Sequence, residues 1–189
     1  TLKEVRIAFL LGISFGFIIA IILYELPTLA LILDPYLTLV NSLPKVALGP
    51  LIIIIAGANI KSVIVMALLI NLIISIITIY NGFIIVDNEK LKLVKSFKAS
   101  KQQILFKLIR PNSYNTIISS LKLNISMSLI GVIMGEFLVS QEGIGYLIIY
   151  GTQVFNLSLV MAGILILLII SFLLYKIIIL VENKLIKNN

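Results

Sequence analysis

Thr116, Ser120, Asn124, Ser128, Gly131 and Gly135 recur through an otherwise apolar run, and at roughly 100° per residue they fall within an arc of about 120° on one helix. A second, shorter line, Asn71, Ser75 and Thr78, repeats at i, i+4 and i+7. Hydroxyls and amides in such lines can hydrogen-bond a passing solute or a neighbouring helix, and a buried amide is costly unless paired. Without a base beside them they cannot act as nucleophiles. The chain has no His and no Cys, which removes thiol chemistry, disulfides and the commonest ligands of zinc, copper and haem iron. Its eight acidic residues are spread between ends and loops, and only Glu136 is embedded in apolar sequence near a span end. There is no carboxylate pair for acid–base work and no G-x-x-x-x-G-K-[ST] phosphate loop. The expectation is a protein without metal, cofactor or catalytic residue, whose polar groups bind or pack.

The elements that carry these lines are membrane helices. Of 189 residues 60% are hydrophobic and 12% charged, against about 25% charged in a soluble domain. Mean hydropathy is +1.18. A span needs roughly 20 apolar residues, and five runs approach that: 6–24, 44–58, 62–80, 114–139 and 157–177. The second is short and holds Pro44, Gly49, Pro50 and Gly57, so it should be tilted or broken where protein or water covers its freed backbone. The stretch between Pro27 and Pro44 reads as a short helix along the interface. Ala8, Gly12, Gly16 and Ala20 repeat every four residues in the first run, a helix-packing pattern. The final span is apolar all round apart from Ser171 and should face lipid, with Lys176 snorkelling to headgroups.

Seven of the fifteen basic residues lie in the 82–113 connection (Lys90, Lys92, Lys95, Lys98, Lys101, Lys107 and Arg110), and Lys176, Lys184 and Lys187 follow in the tail. The opposite side has Lys3, Arg6 and Lys61. The asymmetry puts the connection and the C-terminus in the cytoplasm and the N-terminus outside. A chain that starts inside would need at least one more helix before Thr1. The net charge of +7 is better read as topology and headgroup contact than as nucleic-acid binding. Within the connection, Leu93, Val94 and Phe97 share one face, as do Ile104, Leu105, Leu108 and Ile109. Ser100 and Gln103 have capping-box spacing, so a second helix should start at Ser100 and end at Pro111. Such an amphipathic pair suits either an anionic membrane surface or a groove on a cytoplasmic partner.

The pair resembles the coupling segment of ABC-transporter permeases, which reads E-A-A, three residues, G-A, then a stretch ending I-x-L-P. Aligned on Ala99 and Pro111, this chain has Lys92, Leu93 and Val94 for E-A-A, Lys98 for the Gly and Arg110 for the Leu. The stretches "LVNSLPKVALGPLIIIIAG" (39–57) and "LIGVIMGEFLVSQEGIGYLIIYGTQVFN" (129–156) are similar to permeases of nitrate, sulfonate and taurine type importers, and the resemblance runs over nearly the whole chain. It implies an all-α polytopic membrane protein of the type I ABC importer permease fold. It further implies one permease domain (1–189) with a cytoplasmic coupling segment (82–113) and an external loop (140–156). A methionine or amino-acid type permease, or an ATP-independent carrier or channel, stands as the alternative. A left-handed turn at Lys98, where the family has Gly, would cost roughly 1–2 kcal/mol.

The resemblance also assigns roles. Lys92, Leu93, Val94, Phe97, Lys98, Ala99, Ser100, Leu105 and Pro111 would meet the ATPase. Asn71, Ser75, Ser120, Asn124 and Ser128 would line a path for a small anion or zwitterion, although helix packing would equally employ such residues. Glu136, which has an acidic counterpart in the family, would structure an external gate hinged at Gly143 and Gly145. The expected partners are a second copy in a homodimer, cytoplasmic ABC ATPase subunits, an external substrate-binding protein and membrane lipids. Nucleic acid is not expected, and the expected location is a bacterial inner or plasma membrane.

Overall fold

The computed structural model describes residues 1–186 and is helical almost throughout. The tail's Lys187 lies outside the described residues. Four helices are long and apolar enough to cross a membrane: α1 (Leu2–Glu25), α4 (Ile60–Ile84), α8 (Tyr114–Val139) and α10 (Leu157–Ile186). The run read as a short second span is a 3₁₀ turn, Lys45–Leu48, followed by the eight-residue α3 (Gly49–Ala56). It is bent by 85° from the preceding α2 (Pro27–Ser42), so a fifth crossing exists only as this broken pair. Pro44 and Pro50 lack the N–H a continuous helix would need there. Gly57 then turns the chain with φ +81°, and Asn59 caps α4 by accepting the Lys61 N–H at 2.8 Å.

α1, α4 and α8 pack as a three-helix core. In lipid no hydrophobic force drives helices together, so close contact between small residues has to do so. Ala8, Gly12, Gly16 and Ala20 of α1 are all buried, as the four-residue repeat requires. A Cβ on Gly12 would collide with the Asn71 side chain, and one on Gly16 with Ser75. On α8 the same holds: a Cβ on Gly131 would lie 2.5 Å from Ala67 Cα, and one on Gly135 2.8 Å from Val63 Cα. α10 packs mainly on the short α9 (Ile144–Gln153) and is otherwise exposed, as expected of a lipid-facing helix.

Between α4 and α8 the basic connection forms α5 (Asn88–Ser96), α6 (Lys101–Ile104), a π turn (Leu105–Ile109) and α7 (Arg110–Asn112). The Ser100 capping box is formed in both directions: Ser100 Oγ accepts the Gln103 N–H at 3.3 Å and Gln103 Oε1 accepts the Ser100 N–H at 2.9 Å. Pro111, expected to end this helix, lies inside it. The preceding turn is widened, with the Arg110 N–H bonding the Leu105 carbonyl, and this accepts the proline ring without a break. The helix stops at Ser113, whose hydroxyl donates to the Gly82 carbonyl at 2.7 Å and ties the end of the connection to α4.

Candidate functional site

Three arrangements concern function, and the first is the polar line on α8. Asn71, Ser75, Ser120, Asn124 and Ser128 are fully buried, and their polar groups bond to one another. Asn71 Nδ2 donates to the Ala8 carbonyl at 2.9 Å and to Ser128 Oγ at 2.6 Å, joining α4 to α1 and α8. Ser75 Oγ donates to Asn124 Oδ1 at 2.7 Å, while Asn124 Nδ2 donates to the Ser120 carbonyl at 2.8 Å. The Ser128 hydroxyl donates to the Asn124 carbonyl at 2.7 Å. These five residues therefore form an interhelical seam, and the expectation that they line a wet path is corrected. The physical reason is steric: Gly12 and Gly16 bring α1 against Asn71 and Ser75, leaving no room for water or solute. Asn71 Oδ1 is the one side-chain atom of the seam left without a partner among the described residues.

The second arrangement is at the other end of α8. Glu136 is buried, with Oε2 accepting the Gly145 N–H at 2.7 Å and Oε1 accepting the Thr1 hydroxyl at 2.6 Å. Thr1 Oγ1 in turn accepts the Ile144 N–H at 2.9 Å. The carboxylate thus faces the first turn of α9, where helix dipole and free N–H groups favour an anion. Gly143, at φ +104°, and Gly145 let the backbone close over it: a Cβ on Gly143 would sit 2.5 Å from the carboxyl carbon, and one on Gly145 2.7 Å from Glu136 Cβ.

The third is the basic connection. Ile104, Leu105 and Ile109 enter a core with Ala20, Ile79, Phe83 and Val86, against which Leu91, Val94 and Ala99 also pack. Phe17 and Tyr24 meet Phe83 edge-on at centroid distances of 6.0 and 6.1 Å. Leu105 is only 3% exposed, so it anchors the connection and cannot meet a partner, which corrects its expected role. Val94 likewise faces inward with Leu91, away from Leu93 and Phe97. The apolar residues of α5 wrap it too widely for one face, so two faces share them. Outward stand Leu93, Phe97 and, not foreseen, Phe106, at 59, 76 and 54% exposure. Lys92, Lys98, Ser100 and Pro111 are exposed as well. Lys98 takes the left-handed conformation, φ +56°, closing α5 where the resembling family has Gly.

An ion pair between α8 and α10 had no signature in the sequence. Lys122 Nζ lies 2.6 Å from Glu182 Oε2. Sixty positions separate the partners, and no local spacing rule reaches that far.

Comparison with known proteins places this geometry. Residues 12–187 match the family described as "Binding-protein-dependent transport system inner membrane component". The chain is 33% identical over 93% of its length to a probable ABC transporter permease protein of Haemophilus influenzae, covering 71% of that protein. It is 28% identical over 99% of its length to a Bacillus subtilis protein provisionally named an aliphatic sulfonates transport permease protein, covering 68% of it. With the taurine transport system permease protein of Escherichia coli it shares 25% identity, over 92% of this chain and 63% of the relative. All three are named as transport permeases rather than enzymes. The chain belongs to the family of binding-protein-dependent transport system inner membrane components, as a multi-pass permease subunit of an ABC importer.

Proposed function

We propose that this permease is driven by a cytoplasmic ABC ATPase that seats on the connection through Leu93, Phe97 and Phe106. The observation that carries the reading is the division of that connection. Ile104, Leu105 and Ile109 lock it to α1 and α4, while three large apolar side chains project outward among lysines. A segment made only to lie on headgroups would not need such an internal anchor. A handle that transmits force does, because movement imposed on Phe97 and Phe106 reaches the core through Leu105. Lys92, Lys98 and Ser100 would border the seat.

In this reading the chain is a single permease domain, 1–189, with coupling segment 82–113 and external loop 140–156. The basic excess of 82–113 and of the tail supports a cytoplasmic C-terminus. Two copies form the transporter, and a substrate-binding protein delivers solute at the Glu136, Gly143 and Gly145 end. The solute is a small anion or zwitterion, which the naming of two relatives for aliphatic sulfonates and taurine supports. The transition is a two-state movement biased by nucleotide on one side and loaded binding protein on the other.

Co-purification from gently solubilised membranes tests the coupling. An ATPase subunit should accompany the intact chain and be lost from Phe97→Asp and Phe106→Asp variants that still insert. No ATPase with the intact chain would sink the proposal. Leu105→Asp is unsuited to this test, because it would place a carboxylate in the internal core.

A further inference from the structure

α1 ends at Glu25, and Leu26, with φ −118° and ψ 76°, turns the chain into α2 at Pro27. Against this junction lies a cavity of about 250 Å³ shared with the basic connection. The junction contributes Tyr24 and Glu25 to its lining, and the connection contributes Leu91, Lys95, Lys101 and Ile104. Glu25 Oε1 is buried and has no hydrogen-bond partner among the described residues. Among those residues, too, no ion pair joins Glu25 to Lys95 or Lys101, although all three border one cavity. Both lysines are exposed, so the cavity offers cations that solvent reaches and an acceptor that it does not.

A buried carboxylate oxygen left without a donor is costly. A simple anion would suit the lysines and be repelled by Glu25, and a simple cation would do the reverse. A group that carries a phosphate and an N–H-bearing ammonium a short link apart satisfies all three at once. Ile22 and Leu26, one turn apart and exposed, continue the cavity's edge as apolar surface along α1.

We infer that this cavity binds the headgroup of an aminophospholipid of the phosphatidylethanolamine type. The primary ammonium donates to Glu25 Oε1, Lys95 and Lys101 donate to the phosphate, and the acyl chains lie along Ile22 and Leu26. The inference rests on the permease reading, whose orientation puts this end of α1 at the cytoplasmic headgroups. On α5, Leu91 and Lys95 lie one turn apart, and Leu93 and Phe97 lie one turn apart about 160° around the helix. The headgroup and the proposed ATPase seat therefore use opposite faces of α5, and both can be filled together. Bound lipid ties α5 to the α1–α2 junction, adding to the hold that Leu91 and Val94 supply by packing. The handle is stiffened by the leaflet in which it sits.

Hydrogen exchange of peptides covering α5, in nanodiscs and without ATPase, reads this clamp directly. Phosphatidylcholine has no N–H on its quaternary nitrogen, so it is the reference bilayer. Mixing in phosphatidylethanolamine should slow α5 exchange about five-fold. Glu25→Met, similar in shape but without an acceptor, should abolish that difference and leave α4 and α8 unchanged. Lys95→Gln combined with Lys101→Gln should abolish it too, while Glu25→Lys should transfer the protection to phosphatidylglycerol. Wild-type α5 exchange that is the same with and without phosphatidylethanolamine overturns the proposal. Equal protection by phosphatidylglycerol overturns it as well, since the lysines alone would then hold the lipid. Equal protection by soluble glycerophosphoethanolamine in phosphatidylcholine nanodiscs overturns the lipid assignment and makes this a site for a soluble zwitterion. Absence of an ATPase from co-purification with the intact chain would strike the permease reading instead, leaving this comparison of bilayers standing.

Discussion

Lys98 offers a measurable test of how the connection is held. Its φ of +56° costs an L-residue with an ordinary side chain about 1–2 kcal/mol. Glycine at this position would remove that strain while adding about 0.5–1 kcal/mol of chain entropy to the unfolded side. The balance predicts that Lys98→Gly stabilises the α5–α6 turn by about 1 kcal/mol. The side chain is exposed, and the backbone N–H keeps its bond to the Lys95 carbonyl at 2.9 Å, so little else is lost. Hydrogen exchange of peptides covering 87–104 should therefore slow about five-fold. Lys98→Asn, whose side chain tolerates the same conformation, should fall between wild type and glycine, while β-branched Lys98→Val should exchange faster than either. Faster exchange in the glycine variant, or no difference between valine and asparagine, would refute the strain argument. Uptake by the glycine variant then separates charge from backbone, because the turn is kept and only the ammonium is gone.

Other consequences are open to direct measurement. Gly12→Ala should lower the thermal unfolding midpoint markedly, and adding Asn71→Ala should recover part of the loss, since the clash lies between those two positions. Asn71→Ala alone removes two interhelical hydrogen bonds and should cost about 1–2 kcal/mol by denaturant or steric-trapping titration. Glu136→Gln keeps the shape but loses two charge-assisted bonds, one to the Gly145 N–H, and should cost about 2 kcal/mol locally. Limited proteolysis at Ser140–Gly143 should detect it as faster cleavage, with the rest of the chain unchanged.

Much of the fold was legible because membrane helices announce themselves by length and apolarity, and the Ser100 capping box by its spacing. The broken α2–α3 pair was foreshadowed by Pro44 and Pro50, though not its 85° bend. What misled was the meaning of polarity. Asn71, Ser75, Asn124 and Ser128 look identical from the sequence whether they face water or one another. Only the match of Gly12 and Gly16 to Asn71 and Ser75 decides, and that depends on the register between helices 59 positions apart. Leu105 and Phe106 show the same limit at shorter range. Both are large and apolar, and a π turn, invisible to a periodic count, sets which one is buried.

The seam also bears on how the chain enters the membrane during synthesis. α10 is strongly apolar and almost none of it is buried by protein, so lipid alone is an adequate solvent for it. α8 is the least apolar of the four long helices and is about half buried; its seam amides and hydroxyls have no satisfactory lipid alternative. Its partners α1 and α4 are made first and are strongly apolar themselves. They can wait in the bilayer with Ala8, Gly12 and Asn71 already in place, so that α8 leaves the insertion machinery onto a prepared protein surface instead of into hydrocarbon. Weakening Asn71 or Gly12 should then show itself as early as the yield of inserted chain, before any finished transporter exists to be assayed.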